Sequence, residues 1–266
     1  MVGALAILLT GFVATDVEWK PLEPGLELAV IVAPMKSTVS DSKLTVVRID
    51  PAVRSLKLLS ASEVGGAKRT AAQWAQEFHL SVVVNAAMFD IEEPQLKARY
   101  LMKNFDHINN PTMGAQSAFL AFNPVDGTVP PVQIIDRRCQ DLPSLQNKYH
   151  TLIQSIRMVN CKQMPTWKPQ PLRWSMVAVA IDKQGRVLFV FTRSPYTVRD
   201  FIDMALSLPL GVRNMMYLEG GPETSLFVSA GGVKVEGFGS FETGFLEADT
   251  NDHFWPIPNV LAVTAE

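Results

Sequence analysis

The segment YLEGGPETSL, residues 217–226, places two carboxylates, Glu219 and Glu223, around a Gly-Gly-Pro bend directly after the apolar run NMMYL. A carboxylate fixed at the end of a buried strand can stabilise a developing positive charge, attack it, or activate water. Gly220 and Gly221 have no Cβ, so a ligand can approach the backbone closely. Their N–H groups can also receive an anion. Thr224 adds a hydroxyl within the same bend. Read locally, the pattern equally fits a plain turn with Glu219 in solvent.

A second strand end carries polar groups. VVVNAAMFD, residues 82–90, is an apolar strand that stops at Asn85 and runs through two alanines to Asp90. An asparagine amide donates and accepts, which suits a sugar hydroxyl or a carbonyl. The alternative is an Asn85 that caps the strand and an Asp90 that opens a turn. Arg173 precedes the strand SMVAVAID, and Arg157 and Arg193 also lie near strand ends. Any of them could fork onto a phosphate or carboxylate, although lone arginines at such places are commonly surface residues. The four histidines are dispersed and no Cys/His spacing suggests zinc. A nuclease-like P–O cleavage, which uses a His, Lys or two-metal constellation, therefore lacks its residues.

The 24 basic residues are scattered and the net charge is −2, against a nucleic-acid partner. Residues 2–14 are uncharged and too few for a stable membrane span. They fit the apolar part of a secretory signal without its basic n-region, so residues 1–14 are expected to be a signal-peptide remnant. Export to the periplasm or beyond follows, with a buried N-terminal element as the alternative. In an exported chain Cys139 and Cys161 form an even pair that suggests a disulfide. Two unrelated thiols remain the other reading.

The positioning elements read mostly as strands: residues 26–32, 44–49, 56–59, 81–85, 117–122, 132–135, 214–218 and 259–263. Two hairpins are expected, 175–182 with 186–191 around Lys183-Gln184-Gly185, and 225–237 around Gly231-Gly232. Thr70 to His79 carries a helical apolar face, and Thr197 caps a second helix whose face is Val198, Phe201, Ile202, Ala205 and Leu208. Residues 165–171 read as a proline-rich surface loop. No repeat or long linker appears. The fold class is α+β, a twisted, largely antiparallel mixed sheet with a few packed helices in a single domain.

NAAMFD (85–90), RWSMVAVAID (173–182) and YLEGGPETSL (217–226), in this order, resemble the motifs of the phosphodiester glycosidase domain family. The resemblance extends over residues 26–266. It implies a sugar-1-phosphodiester substrate, cleaved between C1 and oxygen to release a free sugar. It also implies Glu219 as the catalytic carboxylate with Asp90 or Glu223 as partner, Arg173 as phosphate clamp, Asn85 and Thr224 as substrate hydrogen-bonders, and Gly220 and Gly221 as close backbone contacts. No cofactor is required, although the carboxylates would accept a divalent metal. The family commonly has Asp at the position of Glu219 and Gly-Ser at Pro222-Glu223. Those departures keep a non-catalytic glycan-binding or exopolysaccharide-related envelope role as the alternative.

Overall fold

A computed structural model describes residues 17–90 and 96–265, so the expected signal remnant over 1–14 lies outside the described residues. Among the described residues the strands assemble into three sheets, not the one expected, and every pairing between named strands is antiparallel. The first sheet has seven strands in the order Lys20–Glu23, Leu26–Val32, Lys43–Ile49, Val187–Tyr196, Trp174–Asp182, Val212–Gly220 and Arg157–Val159. The second has five, ordered Val233–Phe238, Ser225–Ala230, Leu80–Asn85, Asn259–Thr264 and Leu56–Ser60. The third runs His107–Asn110, Met102–Asn104, Tyr149–Ser155, Ala118–Pro124 and Val132–Asp136.

Strand periodicity decides which residue enters which layer. In Trp174–Asp182, Val177, Val179 and Ile181 face a central core shared by all three sheets, where they join Val82, Val84, Leu226 and Leu120. Met176, Ala178 and Ala180 face the opposite way, onto Phe201, Ile202 and Ala205 of the helix Val198–Ser207. The helix Ala71–Phe78 covers the outer face of the second sheet through Ala71, Trp74 and Ala75, packed with Val83, Phe227 and Ala262. Thr70 closes a reciprocal capping box with Gln73, and the Thr197 hydroxyl accepts from the Asp200 N–H, so both helices start where their cap residues dictate.

Cys139 and Cys161 are bridged. They join the loop after Val132–Asp136 to the loop after Arg157–Val159, and so tie the third sheet to the edge of the first. Beside the bridge, Arg157 Nη1 donates to both oxygens of the buried Asp136 at 2.8 Å. No helix among the described residues is long and apolar enough to cross a membrane.

The bridge spans 22 positions. On the chain-entropy account its loss costs about 3 kcal/mol, which lowers Tm by about 6–12 °C for a chain of this size. Thermal melts of the wild type and the double Cys139→Ser, Cys161→Ser variant check this, and intact mass before and after reduction with alkylation checks the pairing.

Candidate active site

Glu219 is the penultimate residue of Val212–Gly220, the strand next to the edge of the first sheet. Along that strand Met216 and Leu218 face the central core while Met215 and Tyr217 face the helix layer. Against Trp174–Asp182 the register then slips, from Ala178 opposite Tyr217 to Val177 opposite Glu219. Leu218 is thus the extra residue of a β-bulge, which shifts the pairing; Glu219 stays on the face of Tyr217, two residues back, and both line one cavity. Glu219 opens onto a cavity of about 450 Å³ whose wall also includes Gly220, Glu223, Glu242, Arg99 and Trp174. Its Oε1 accepts the Gly220 N–H at 3.0 Å. Gly220 is required by its neighbours, since a Cβ there would run into the Tyr217 hydroxyl and the Trp174 indole.

The chain next crosses from the first sheet to the second through a single 3-10 turn, Gly221–Glu223. Gly221 has φ +76°, and a Cβ on it would strike the Glu242 carboxylate. Asn85 holds the turn: its Nδ2 donates to the Glu223 carbonyl at 3.0 Å and its Oδ1 accepts the Ser225 N–H at 2.7 Å. Thr224 is also buried, with its hydroxyl on the Ser175 carbonyl at 3.4 Å and its carbonyl accepting the Gly239 N–H at 2.7 Å. Asn85 and Thr224 therefore brace the backbone, and neither lines the cavity. Gly221 is buried under Glu242 and does not line it either.

Glu242 was not singled out by the sequence. It lies far along the chain from any motif and arrives by pairing with Trp174 in an isolated bridge. Its neighbours are pinned by Ser175, whose N–H donates to the Phe241 carbonyl at 3.0 Å and whose Oγ accepts the Ser240 N–H at 2.9 Å. Arg193 also holds this loop, paired with Asp249 at 2.7 Å and donating to the Phe238 and Asn251 carbonyls. Arg173 contributes only backbone bonds to Thr243 here; its residue is exposed and outside the cavity lining.

The segment after Asn85 supplies Met88 and Phe89 to the wall, while Asp90 is not part of it. The Asp90 N–H donates to the Lys97 carbonyl at 3.0 Å, and the Arg99 N–H to the Met88 carbonyl at 2.9 Å. That pairing brings Arg99, unnoticed in the sequence, to the cavity where Arg173 was expected.

Three glutamates thus share one cavity. Burial raises the Glu219 carboxyl well above the usual range, and repulsion from Glu223 and Glu242 adds to it; the Gly220 N–H and Arg99 pull the other way. Burial also raises Glu223, with Glu242 adding to the effect, and raises Glu242 itself. The Tyr217 hydroxyl is pushed up by burial and by Glu219. The arrangement keeps at least one carboxyl protonated at pH values where free glutamate is ionised, as acid–base catalysis requires. Among the described residues, the one set of three His, Cys, Asp or Glu side chains with metal-ligand proximity is Asp136, Cys139 and Cys161, and its sulfurs are bonded to each other.

A raised carboxyl favours the fold while protonated and loses that advantage as pH rises through its folded-state pKa. Glu219→Gln is uncharged throughout. It is expected to melt above the wild type at neutral and alkaline pH, with the gap closing towards pH 4; melts across that range check the sign. Asn85→Ala strands the Glu223 carbonyl and the Ser225 N–H. A loss of about 2–4 kcal/mol is expected by denaturant titration.

Residues 78–264 match the family model described as phosphodiester glycosidase. The fold resembles the catalytic domain of zebrafish N-acetylglucosamine-1-phosphodiester alpha-N-acetylglucosaminidase, auto-inhibited by its pro-peptide, at TM-score 0.65 and 14% identity over 94% of this chain and 89% of that one. It also resembles a hypothetical protein from Synechocystis, at TM-score 0.65 and 13% identity over 94% of this chain, which spans only 64% of the Synechocystis protein. No curated protein sequence matches the chain. The family match takes in both the strand that ends at Asn85 and the strand that ends at Glu219, and on it the chain belongs to the phosphodiester glycosidase family.

Proposed function

We propose that the protein is an exported hydrolase that releases a sugar from a sugar-1-phosphodiester by breaking the bond between C1 and oxygen. The observation that carries this reading is the meeting of Glu219, Glu223 and Glu242 with Arg99 and the rings of Trp174 and Phe89 in one cavity. Aromatic walls suit the apolar faces of a pyranose, and a few converging polar groups fix its orientation.

Breaking the C1–O bond builds positive charge on the sugar and negative charge on the departing phosphate. Glu219, the most strongly raised of the three, holds its proton longest and is the group to hand it to the leaving oxygen. Glu223 and Glu242 ionise earlier as pH rises, which makes them the groups to face the cationic sugar or to take a proton from water. Arg99 takes the place first assigned to Arg173 and receives the phosphate charge. Export rests on the disulfide, which persists in oxidising compartments.

Purified protein incubated with a panel of sugar-1-phosphodiesters is expected to release free reducing sugar. Glu219→Gln is expected to lose about 10²-fold or more in kcat. The rate is expected to fall on the acid side as Glu223 and Glu242 gain protons and on the alkaline side as Glu219 loses its own. Both limbs lie above the ordinary glutamate range. Running the panel with a chelator decides whether the carboxylates use a divalent ion. Sugar-1-phosphate as product would mean P–O cleavage and overturn the mechanism. Binding without turnover in wild type and variant alike would leave a glycan-binding protein.

A further inference from the structure

Next to the catalytic cavity lies a second, open pocket of about 300 Å³, lined by Gln116, Ser117, Ile156, Arg157, Trp167 and Lys168 among others. The Trp167 and Tyr217 rings, with centroids 5.9 Å apart, form the wall between the two, since Tyr217 lines the catalytic cavity. Its floor is the strand beside the one that carries Glu219: Arg157 pairs with Met216, and the Tyr217 N–H donates to the Ile156 carbonyl at 2.9 Å. Glu219 lies three positions beyond Met216, so the pocket sits about 10 Å along the strand from that carboxylate.

The chemistry of this pocket is opposite to that of the cavity. The disulfide clamps two loops together, one carrying Arg137 and Arg138 and the other Lys162 and Lys168. Arg138, Lys162 and Lys168 are exposed. Asp136, paired with Arg157, and Asp141 offset part of this charge, and in a chain of net charge −2 a local excess of positive charge remains. Arg157 faces the pocket while its Nη1 grips Asp136, and its Nε is buried without a protein acceptor. An orphaned buried donor on a cation is what a ligand oxygen or a bound water would satisfy. Trp167 is fixed by its own indole N–H, which donates to the Arg157 carbonyl at 3.0 Å, so its ring offers a rigid stacking surface.

We infer that the Trp167–Lys168–Arg157 pocket is a subsite for a further phosphorylated sugar of the substrate, one unit beyond the bond that is cut. The sugar lies on Trp167, and its phosphate meets Lys168 under the field of the arginines around the disulfide. The inference rests on the proposed hydrolase reading for what occupies the neighbouring cavity. It deepens that reading by specifying an extended, repeatedly phosphorylated glycan in place of a small capped molecule.

Binding separates the two claims. A phosphorylated disaccharide without an anomeric phosphodiester cannot be hydrolysed by the proposed reaction, so calorimetric titration with it reads binding free of turnover, and the Lys168 and Trp167 variants assign that binding to the subsite. Saturable binding is expected for the wild type and for Glu219→Gln. Lys168→Glu, on an exposed side chain, is expected to weaken it about tenfold or more, and Trp167→Phe less; the unphosphorylated disaccharide is expected to bind far more weakly. The subsite is overturned if the wild type shows no saturable binding, if Lys168→Glu binds as well as the wild type, or if Glu219→Gln abolishes binding. If the panel yields turnover, Lys168→Glu should raise KM for a substrate bearing the extra sugar phosphate and leave the short substrate unchanged. Equal effects on both would refute the assignment.

Discussion

Everything around the three-glutamate cavity hangs on one short crossover. Between Gly220 and Ser225 the chain leaves the seven-stranded sheet and enters the second sheet. A crossover this short satisfies few of its own backbone groups, as where the Thr224 N–H donates to the Gly221 carbonyl at 3.2 Å. The side chain of Asn85, at the end of a neighbouring strand of the second sheet, takes one donor and one acceptor of the bend. Thr224 and Ser175 tie the same bend to the first sheet. A buried backbone group without a partner costs about as much as a lost hydrogen bond, so these bonds are obligatory to the path. They hold Glu223 in place, and Ser175 extends the support to the loop that carries Glu242.

The bracing opposes a real electrostatic cost. Three carboxylates in one cavity repel each other, and burial deprives Glu219 of water. Released from the frame they would separate. Their raised pKa values thus record stability given up to gather three carboxyls in one cavity, an exchange common at functional sites. The same frame explains both glycines. The sequence suggested that Gly220 and Gly221 admit a ligand. In the structure they chiefly admit the protein's own groups: the Tyr217 hydroxyl and Trp174 ring against one, and Glu242 against the other.

The two longer helices, the two hairpins and the strands that end at Asn85 and Glu219 were legible in the sequence, because their apolar period and cap residues agree; the one-turn helix Leu142–Leu145 was not. Of the third sheet only Ala118–Pro124 and Val132–Asp136 were legible, expected at 117–122 and 132–135; its other three strands were not. Its central strand Tyr149–Ser155 buries Thr151, Gln154 and Ser155, so the apolar pattern is broken by polar side chains. Thr151 and Gln154 are satisfied only by distant partners, as when Gln154 Nε2 donates to the Gly114 and Gln116 carbonyls, and the Ser155 hydroxyl has no partner within the protein. Arg99 and Glu242 escaped for a similar reason. Each is brought in by a few backbone bonds across the cavity mouth, to Met88 and to Trp174, with no local signal. Arg173 drew attention because it precedes a strand, yet it is the next residue, Trp174, that lines the cavity. Strand position marks where a site will be; which side chain enters it depends on the face that alternation gives it, as with Tyr217 and Glu219, which both line the cavity while Leu218 between them is in the core.

The two departures from the family pattern become intelligible at this level. Pro222 lacks an N–H, which would be a loss if the bend were an anion-binding nest. It stands instead in the first turn of a 3-10 helix, where the N–H has no intrahelical acceptor and a fixed φ favours the turn. Glu219, one methylene longer than the usual aspartate, folds back far enough for its own Oε1 to accept the Gly220 N–H. That bond fixes the longer arm and leaves the carboxyl at the cavity wall, beside Glu223 and Glu242. The replacement of Gly-Ser by Pro-Glu then adds a third carboxyl to a site that would otherwise hold two. The consequence is electrostatic. A more acidic cavity repels a phosphodiester unless the positive charge of Arg99, and of the basic surface around the disulfide, draws it in from outside.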